Sequence, residues 1–208
     1  MKTCALVGAS DFNADQFKIM DDAGVFDYVM AVDGGFSHLE SIGRKPNMAI
    51  GDFDSLGYVP RGLHVVRHSA HKDESDMELA LMRAKSQRFD TIYIFGGLGR
   101  RLDHTLANLQ LFAKFAERDI SISAIGDDSL VTFLAGPDVL EAPARESGTV
   151  SVFAMNDKCC GVFERGLEWE LDDYTLDNRT SLGLSNEFKG EAIMIGVEQG
   201  TLAVFLPL

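Results

Sequence analysis

No apolar run in this 208-residue chain is long enough to cross a bilayer as a helix, which excludes a helical membrane span. Cysteine is scarce: Cys4, Cys159 and Cys160 make an odd count with two adjacent, and no CxxC pair occurs. That excludes a disulfide framework and a cysteine zinc site, and it predicts a reducing, cytoplasmic setting. Positive charge is in deficit, with 19 Lys and Arg against 32 Asp and Glu and a net charge of −13. Nucleic acid is therefore excluded as a bulk partner, although a local basic patch can still hold a small anion. The opening stretch MKTCALVGAS lacks a sustained apolar segment and reads as a first strand rather than a signal peptide. Three familiar motifs are missing. Without GxxxxGK[ST] there is no P-loop, without GxGxxG after the first strand there is no dinucleotide fingerprint, and no GxSxG elbow appears.

What is present alternates between strand and helix in the first half. CALVGA, YVMAV, MAIGD, LHVVR, TIYIF and ISISAIG read as strands. ADQFKIMDD and FSHLESIG read as short helices between them, the second closed by Gly43. From about Asp73 to Gln87 the apolar period is helical, with Met77, Ala80, Leu81 and Ala84 at i, i+3, i+4, i+7. A longer helix follows GGLG, with Leu102, Leu106, Leu109, Ala113 and Ala116 placed on one face and Asp103 in its first turn or at its N-cap. The fold class is thus α/β: a mostly parallel, Rossmann-like sheet with helices on both faces. After about residue 127 helical periodicity stops. SLVTFL, TVSVFAM, GVFE, EAIMIGV and TLAVFLPL are short strands between turn residues, and EQG between the last two predicts a hairpin. This second part reads as a small antiparallel β-sandwich domain.

The chemistry-bearing residues collect in loops that follow strands, at the sheet edge where open α/β sheets bind ligands. DGG (33–35), GDFDS (51–55), KDESD (72–76) and GGLGRRLDH (96–104) are these loops. Gly34, Gly35, Gly96, Gly97 and Gly99 let backbone N–H groups approach a phosphate. Lys72, Arg100 and Arg101 supply positive charge, while Asp52, Asp54, Asp73 and Asp76 supply the oxygens that magnesium takes. In an extended backbone Asp52 and Asp54 face one way, and in a helix that includes both, Asp73 and Asp76 share a face. Each loop also has a plainer reading. GDFDS suits an Asx turn, KDESD a solvated first turn, and GGLG a simple strand–helix connection. Taken together the loops suggest a magnesium nucleotide. His38, His64 and His104 read as structural or exposed. His64, His68 and His71 are close in sequence, but the supply of carboxylates favours magnesium over zinc.

In order, DGG, GDFDS, KDESDMELAL, GGLGRRLDH, GLEWEL (166–171) and LGLSNEF (182–188) resemble the thiamine pyrophosphokinase family, over residues 28 to 205. The resemblance implies a nucleotide-binding catalytic α/β domain at 1–135 and a β-sandwich thiamine-binding domain at 136–208. It implies transfer of the pyrophosphoryl group of ATP to the hydroxyl of thiamine, with release of AMP, in a homodimer with shared active sites. Mg2+ would sit on Asp52, Asp54 and Asp76. Lys72, Ser75, Arg101 and Asp103 would handle phosphates, with Asp33, Gly34, Gly35, Gly97, Gly99 and His104 in the nucleotide site. Trp169, the one tryptophan, would stack on thiamine, flanked by Ser185 and Asn186. A base, if one is used, is Asp73 or Asp76. The chain departs from the family pattern in carrying GGLGRR where GGLGGR is usual and Ser75 where threonine is common. Alternatives are a diphosphokinase for another alcohol such as a hydroxymethylpterin, a γ-phosphate kinase, and a sensor that binds without turnover.

Overall fold

The computed structural model describes residues 1–69, 72–99 and 101–208; His71 and Arg100 lie outside the described residues. The chain divides into two compact units, Met1–Leu111 with Ile120–Asp127, and Phe112–Asp119 with Asp128–Leu208.

The first unit holds strands β1 (Thr3–Val7), β2 (Tyr28–Val32), β3 (Met48–Gly51), β4 (His64–Arg67), β5 (Thr91–Phe95) and β6 (Ser121–Ile125). They lie in the order β6-β5-β1-β2-β3-β4, each neighbouring pair parallel. Helix α1 (Ala14–Asp22) links β1 to β2, α2 (Gly35–Ser41) links β2 to β3, α3 (Asp76–Ser86) links β4 to β5, and α4 (Leu102–Ala116) links β5 to β6. Right-handed crossovers that run outward in opposite directions from the β1–β5 pair place helices on opposite faces. The strands are near-continuous apolar runs because both faces are covered: Leu6, Val7, Met30, Ile50, Ile92, Ile94 and Phe95 are all buried. Phe12, Phe17, Phe26 and Phe95 pack ring against ring beside them. His38 stacks on Phe12 and its Nε2 lies 2.9 Å from the Ser10 carbonyl oxygen, a structural role.

Two helix starts are fixed by caps. The Asn13 Oδ1 accepts from the Gln16 N–H at 3.0 Å, and the Ser75 Oγ accepts from the Glu78 N–H at 3.2 Å, each satisfying a donor the helix cannot. The helix therefore begins at Asp76, and Asp73 stands before its cap, so these two residues do not share a helix face. The expected apolar face of α4 is buried only towards its C-terminal end. Leu102 and Leu106 are 78% and 58% exposed, whereas Leu111, Phe112, Ala113, Phe115 and Ala116 are buried. Ala113 and Ala116 lie on the same helical face as Leu102 and Leu106, so the difference is one of position along the helix rather than of rotation about it.

The second unit contains β7 (Ser129–Ala135), β8 (Asp138–Ala142), β9 (Thr149–Ala154), β10 (Lys158–Arg165), β11 (Leu171–Asp177), β12 (Asn186–Glu187), β13 (Ile193–Val197) and β14 (Thr201–Pro207). One run of antiparallel strands is β12-β9-β14-β7 and a separate sheet is β11-β10-β13-β8. They close on a shared core that includes Val152, Val162, Leu167, Phe188, Ile195, Leu202 and Val204. The expected hairpin at EQG does not form: β13 pairs with β8 and β10, and β14 with β7 and β9. The link instead carries the chain from one sheet to the other. Its Glu198 and Gln199 N–H groups both donate to the Cys160 carbonyl. Among the described residues, no helix is long and apolar enough to cross a membrane.

Candidate active site

The chain reverses its direction across the sheet between β1 and β5, and the carboxyl ends of these strands open a crevice. Glycine lets the backbone close in there. A Cβ on Gly35 would stand 1.9 Å from the Val7 carbonyl oxygen, and one on Gly96, whose φ is +62°, would stand 2.2 Å from that of Gly8. Gly97 and Gly99 are tied to the helix that follows. The Asn108 Nδ2 donates to the Gly97 carbonyl at 2.7 Å, and the Gly99 N–H donates to the Thr105 Oγ1 at 3.0 Å.

Acidic side chains converge beside this crevice. Asp33, Asp52 and Asp76 each present a carboxylate oxygen, and the three atoms lie within 4.8 Å of one another. Each reaches the group from a different element. Asp33 follows β2 with φ +47°; its Oδ1 accepts from the Phe53 N–H at 3.1 Å and its Oδ2 from the Ser55 Oγ at 2.7 Å. Asp52 follows β3, and Asp76 opens α3. The Lys72 Nζ lies 2.6 Å from an Asp76 oxygen and 3.9 Å from one of Asp52. Burial raises the proton affinity of Asp76 above the ordinary aspartate range; the Lys72 hydrogen bond opposes that rise, and the charges on Asp52 and Asp33 add to it. Three hard oxygens around one point, with the Lys72 ammonium beside them, suit a small divalent cation such as Mg2+.

Asp54 stands apart from this group. Phe53 has φ +62°, so 52–54 is not extended and the two aspartates do not point the same way. The Asp52 Oδ1 accepts from the Asp54 N–H at 3.1 Å, an Asx turn that aims Asp52 inward and leaves Asp54 exposed. Asp52 and Asp54 share instead the wall of a cleft of about 490 Å³ with Tyr58, Arg67, His68 and Ser69. Asp73 is exposed on the bend before α3, and Gly34 is the N-cap of α2. Arg101 and Asp103 form an exposed bidentate pair at 2.9 and 2.7 Å, which holds the Asp103 carboxyl below the usual range; His104 next to them is exposed. Asp33 was expected in the nucleotide site rather than among the cation-holding carboxylates, and nothing in the spacing of residues places Ser55, Arg67 and His68 beside them. The first depends on a left-handed turn and the others on adjacency of β2, β3 and β4.

In the second unit Trp169 is 59% exposed. Ser185 has φ +61°, and its N–H donates to the Ser151 Oγ at 3.0 Å. Asn186 is buried and turns its amide toward the backbone of Trp169 rather than to the surface.

Residues 24–124 match the family described as "Thiamin pyrophosphokinase, catalytic domain", and residues 139–202 match "Thiamin pyrophosphokinase, vitamin B1 binding domain". The thiamine pyrophosphokinase of Bacillus subtilis (strain 168) is 29% identical over 166 residues, 76% of this chain and 77% of that protein. Thiamin pyrophosphokinase 1 of Caenorhabditis elegans is 24% identical over 180 residues, 77% of this chain and 71% of that one. The Bacillus subtilis crystal structure superposes with a TM-score of 0.81 at 26% identity, covering 99% of both chains. The Geobacillus thermodenitrificans thiamin pyrophosphokinase shares the fold with a TM-score of 0.82 at 24% identity, covering 99% of this chain and 97% of that one. With both family regions matched in order and the carboxylates gathered at the sheet edge, this chain belongs to the thiamine pyrophosphokinase family.

Proposed function

We propose that the protein is a thiamine diphosphokinase that moves the pyrophosphoryl group of ATP onto the hydroxyl of thiamine and releases AMP. The observation that carries this reading is the meeting of Asp33, Asp52 and Asp76 around one point with Lys72 beside them. Those carboxylates would hold Mg2+, which when bound neutralises charge on the phosphate oxygens. Lys72 stands where it can pass from the carboxylates to a phosphate oxygen. The glycine crevice gives the phosphates close backbone approach, and Arg101 and Ser75 stand at the starts of α4 and α3. The thiamine hydroxyl oxygen attacks the β-phosphorus as the bond from that phosphorus to the α,β-bridging oxygen breaks. The electron pair leaves on AMP, and the hydroxyl proton passes to a carboxylate at this edge. Asp73 and Asp76 are the candidates for that carboxylate, Asp76 within the converging group and Asp73 outside it. Such a reaction depends more on positioning than on a strong base.

Residues 1–135 would serve ATP and residues 136–208 thiamine, whose cationic ring has an aromatic surface in Trp169. The working form in this reading is a cytoplasmic homodimer with shared sites; light scattering on the purified protein tests its dimeric mass. The activity itself is tested by supplying thiamine, ATP and Mg2+ and quantifying thiamine diphosphate and AMP together. Equal amounts of the two are expected. ADP in place of AMP would make the protein a γ-phosphate kinase, and binding of both substrates without product would make it a sensor.

A further inference from the structure

A buried carboxyl stands behind the exposed tryptophan, linked to it by one amide. The Trp169 N–H donates to the Asn186 Oδ1 at 3.1 Å, and the Asn186 Nδ2 donates back to the Trp169 carbonyl at 2.6 Å. The same Oδ1 accepts from the Glu187 N–H at 2.9 Å. The second Nδ2 hydrogen goes to the Glu164 Oε2 at 2.9 Å. Both donors and both acceptor sites of the Asn186 amide are thereby used, and the residue is only 6% exposed. It therefore has nothing left to offer a ligand, and its part in the site is to hold the tryptophan.

The Trp169 and Glu187 N–H groups at the Oδ1 end and the Trp169 carbonyl at the Nδ2 end orient that amide, and Glu164 adds the buried acceptor that anchors it. The oxygen and nitrogen ends of an asparagine are nearly alike in shape, so surrounding groups set the orientation. Glu164 is 1% exposed on β10, and its Oε1 has no hydrogen-bond partner among the described residues. Its cross-strand partner on β13 is the buried Ile195. A leucine would sit there at lower cost than a half-satisfied carboxyl. What a leucine lacks is an acceptor that demands the Nδ2 end of Asn186.

We propose that Glu164 is a positioning residue: acting through Asn186, it fixes the backbone of Trp169 and so the indole face that receives the cationic heterocycle of the substrate. This rests on the reading that thiamine stacks on Trp169, and the two can be separated because Trp169 is the one tryptophan of the chain. Its fluorescence reports the site without labels. In the unaltered protein, thiamine should quench that emission; turnover without quenching would overturn the stacking reading itself. Given quenching, Glu164→Leu should raise the KM for thiamine about tenfold, the loss expected for one hydrogen bond to an ionisable group, and leave the KM for ATP unchanged. Quenching should require correspondingly more thiamine. Glu164→Gln keeps an acceptor for the Asn186 Nδ2 and should restore both. A merely structural role would lower Tm and move both KM values together, with no rescue by glutamine. Wild-type thiamine KM in a folded Glu164→Leu variant overturns the proposal. Should that variant not fold, the Asn186 side-chain amide protons of the unaltered protein decide: slow solvent exchange by NMR is expected, and exchange as fast as that of an exposed asparagine overturns it.

Discussion

Asp76 is subject to opposing influences. Burial and the neighbouring Asp33 and Asp52 charges favour its protonated form, and Lys72 favours the ionised one. A divalent cation would settle that competition in favour of the carboxylate. Asp76→Ala and Asp52→Ala should each lower kcat/KM by at least about 100-fold, as expected on losing a preorganised electrostatic contact, with far-ultraviolet circular dichroism unchanged. Near-normal rates in both at saturating Mg2+ would remove these residues from the reaction. Glu164 gives a prediction about stability. Burial raises its proton affinity and the Asn186 hydrogen bond only partly opposes this. A carboxyl whose folded pKa lies above its unfolded value binds protons better in the folded state. The protein therefore loses stability as pH rises from the unfolded glutamate range through the folded pKa. Glu164→Gln carries no such penalty. Its Tm should exceed that of the unaltered protein by about 2–4 °C per kcal/mol removed at pH 7 to 8, and the advantage should vanish near pH 4. Equal Tm differences at both pH values would contradict a strained, buried carboxyl.

Among the elements, α3 joins structure to chemistry most directly. Its Ser75 cap sets where the helix begins and so where Asp76 projects. Ser75→Ala should cost about 1 kcal/mol of stability, the usual value for a lost N-cap, whereas Ser75→Thr should cost only a few tenths; thermal melts of the two variants check this. Most elements could be read from the chain itself. YVMAV, TIYIF and ISISAIG are strands because β-branched and aromatic residues suit a sheet covered on both faces. The strand at 171–177 was missed because LDDYTLD is mostly exposed and acidic, so it carries no alternation that pattern reading can detect. The EQG link looked like a hairpin because turn residues report that a chain reverses, not which strand it meets next. The stripe on α4 holds at Ala113 and Ala116 but not at Leu102 and Leu106, because a regular period reports which residues share a face and not how far along the helix that face is covered.

At the scale of the molecule, a net charge of −13 sits oddly with an anionic substrate. The converging carboxylates make the difficulty local, since without a cation they would repel the phosphates as well. Nucleotide and metal should therefore bind together. ATP with Mg2+ should raise Tm, by an amount corresponding to about 2.7 kcal/mol at a hundredfold excess over Kd. Excess chelator should abolish the shift, and an equal shift with ATP alone would contradict the cooperative reading.

The sequence by itself determined the α/β class, the sandwich that follows, the four loops that carry the chemistry, and the family, because periodicity, turn residues and ordered motifs are properties of the chain read in one dimension. It offered Asp52 with Asp54 as a pair and Asn186 as a substrate contact. The tertiary structure added what spacing does not hold: a left-handed Phe53 breaks the extended geometry of 52–54 while β2, β3 and α3 bring Asp33 and Asp76 to Asp52, and the Asn186 side chain bonds inward to Trp169 and Glu164. Which side chains meet depends on strand order and on single backbone angles, and neither leaves a mark in the spacing of residues along the chain.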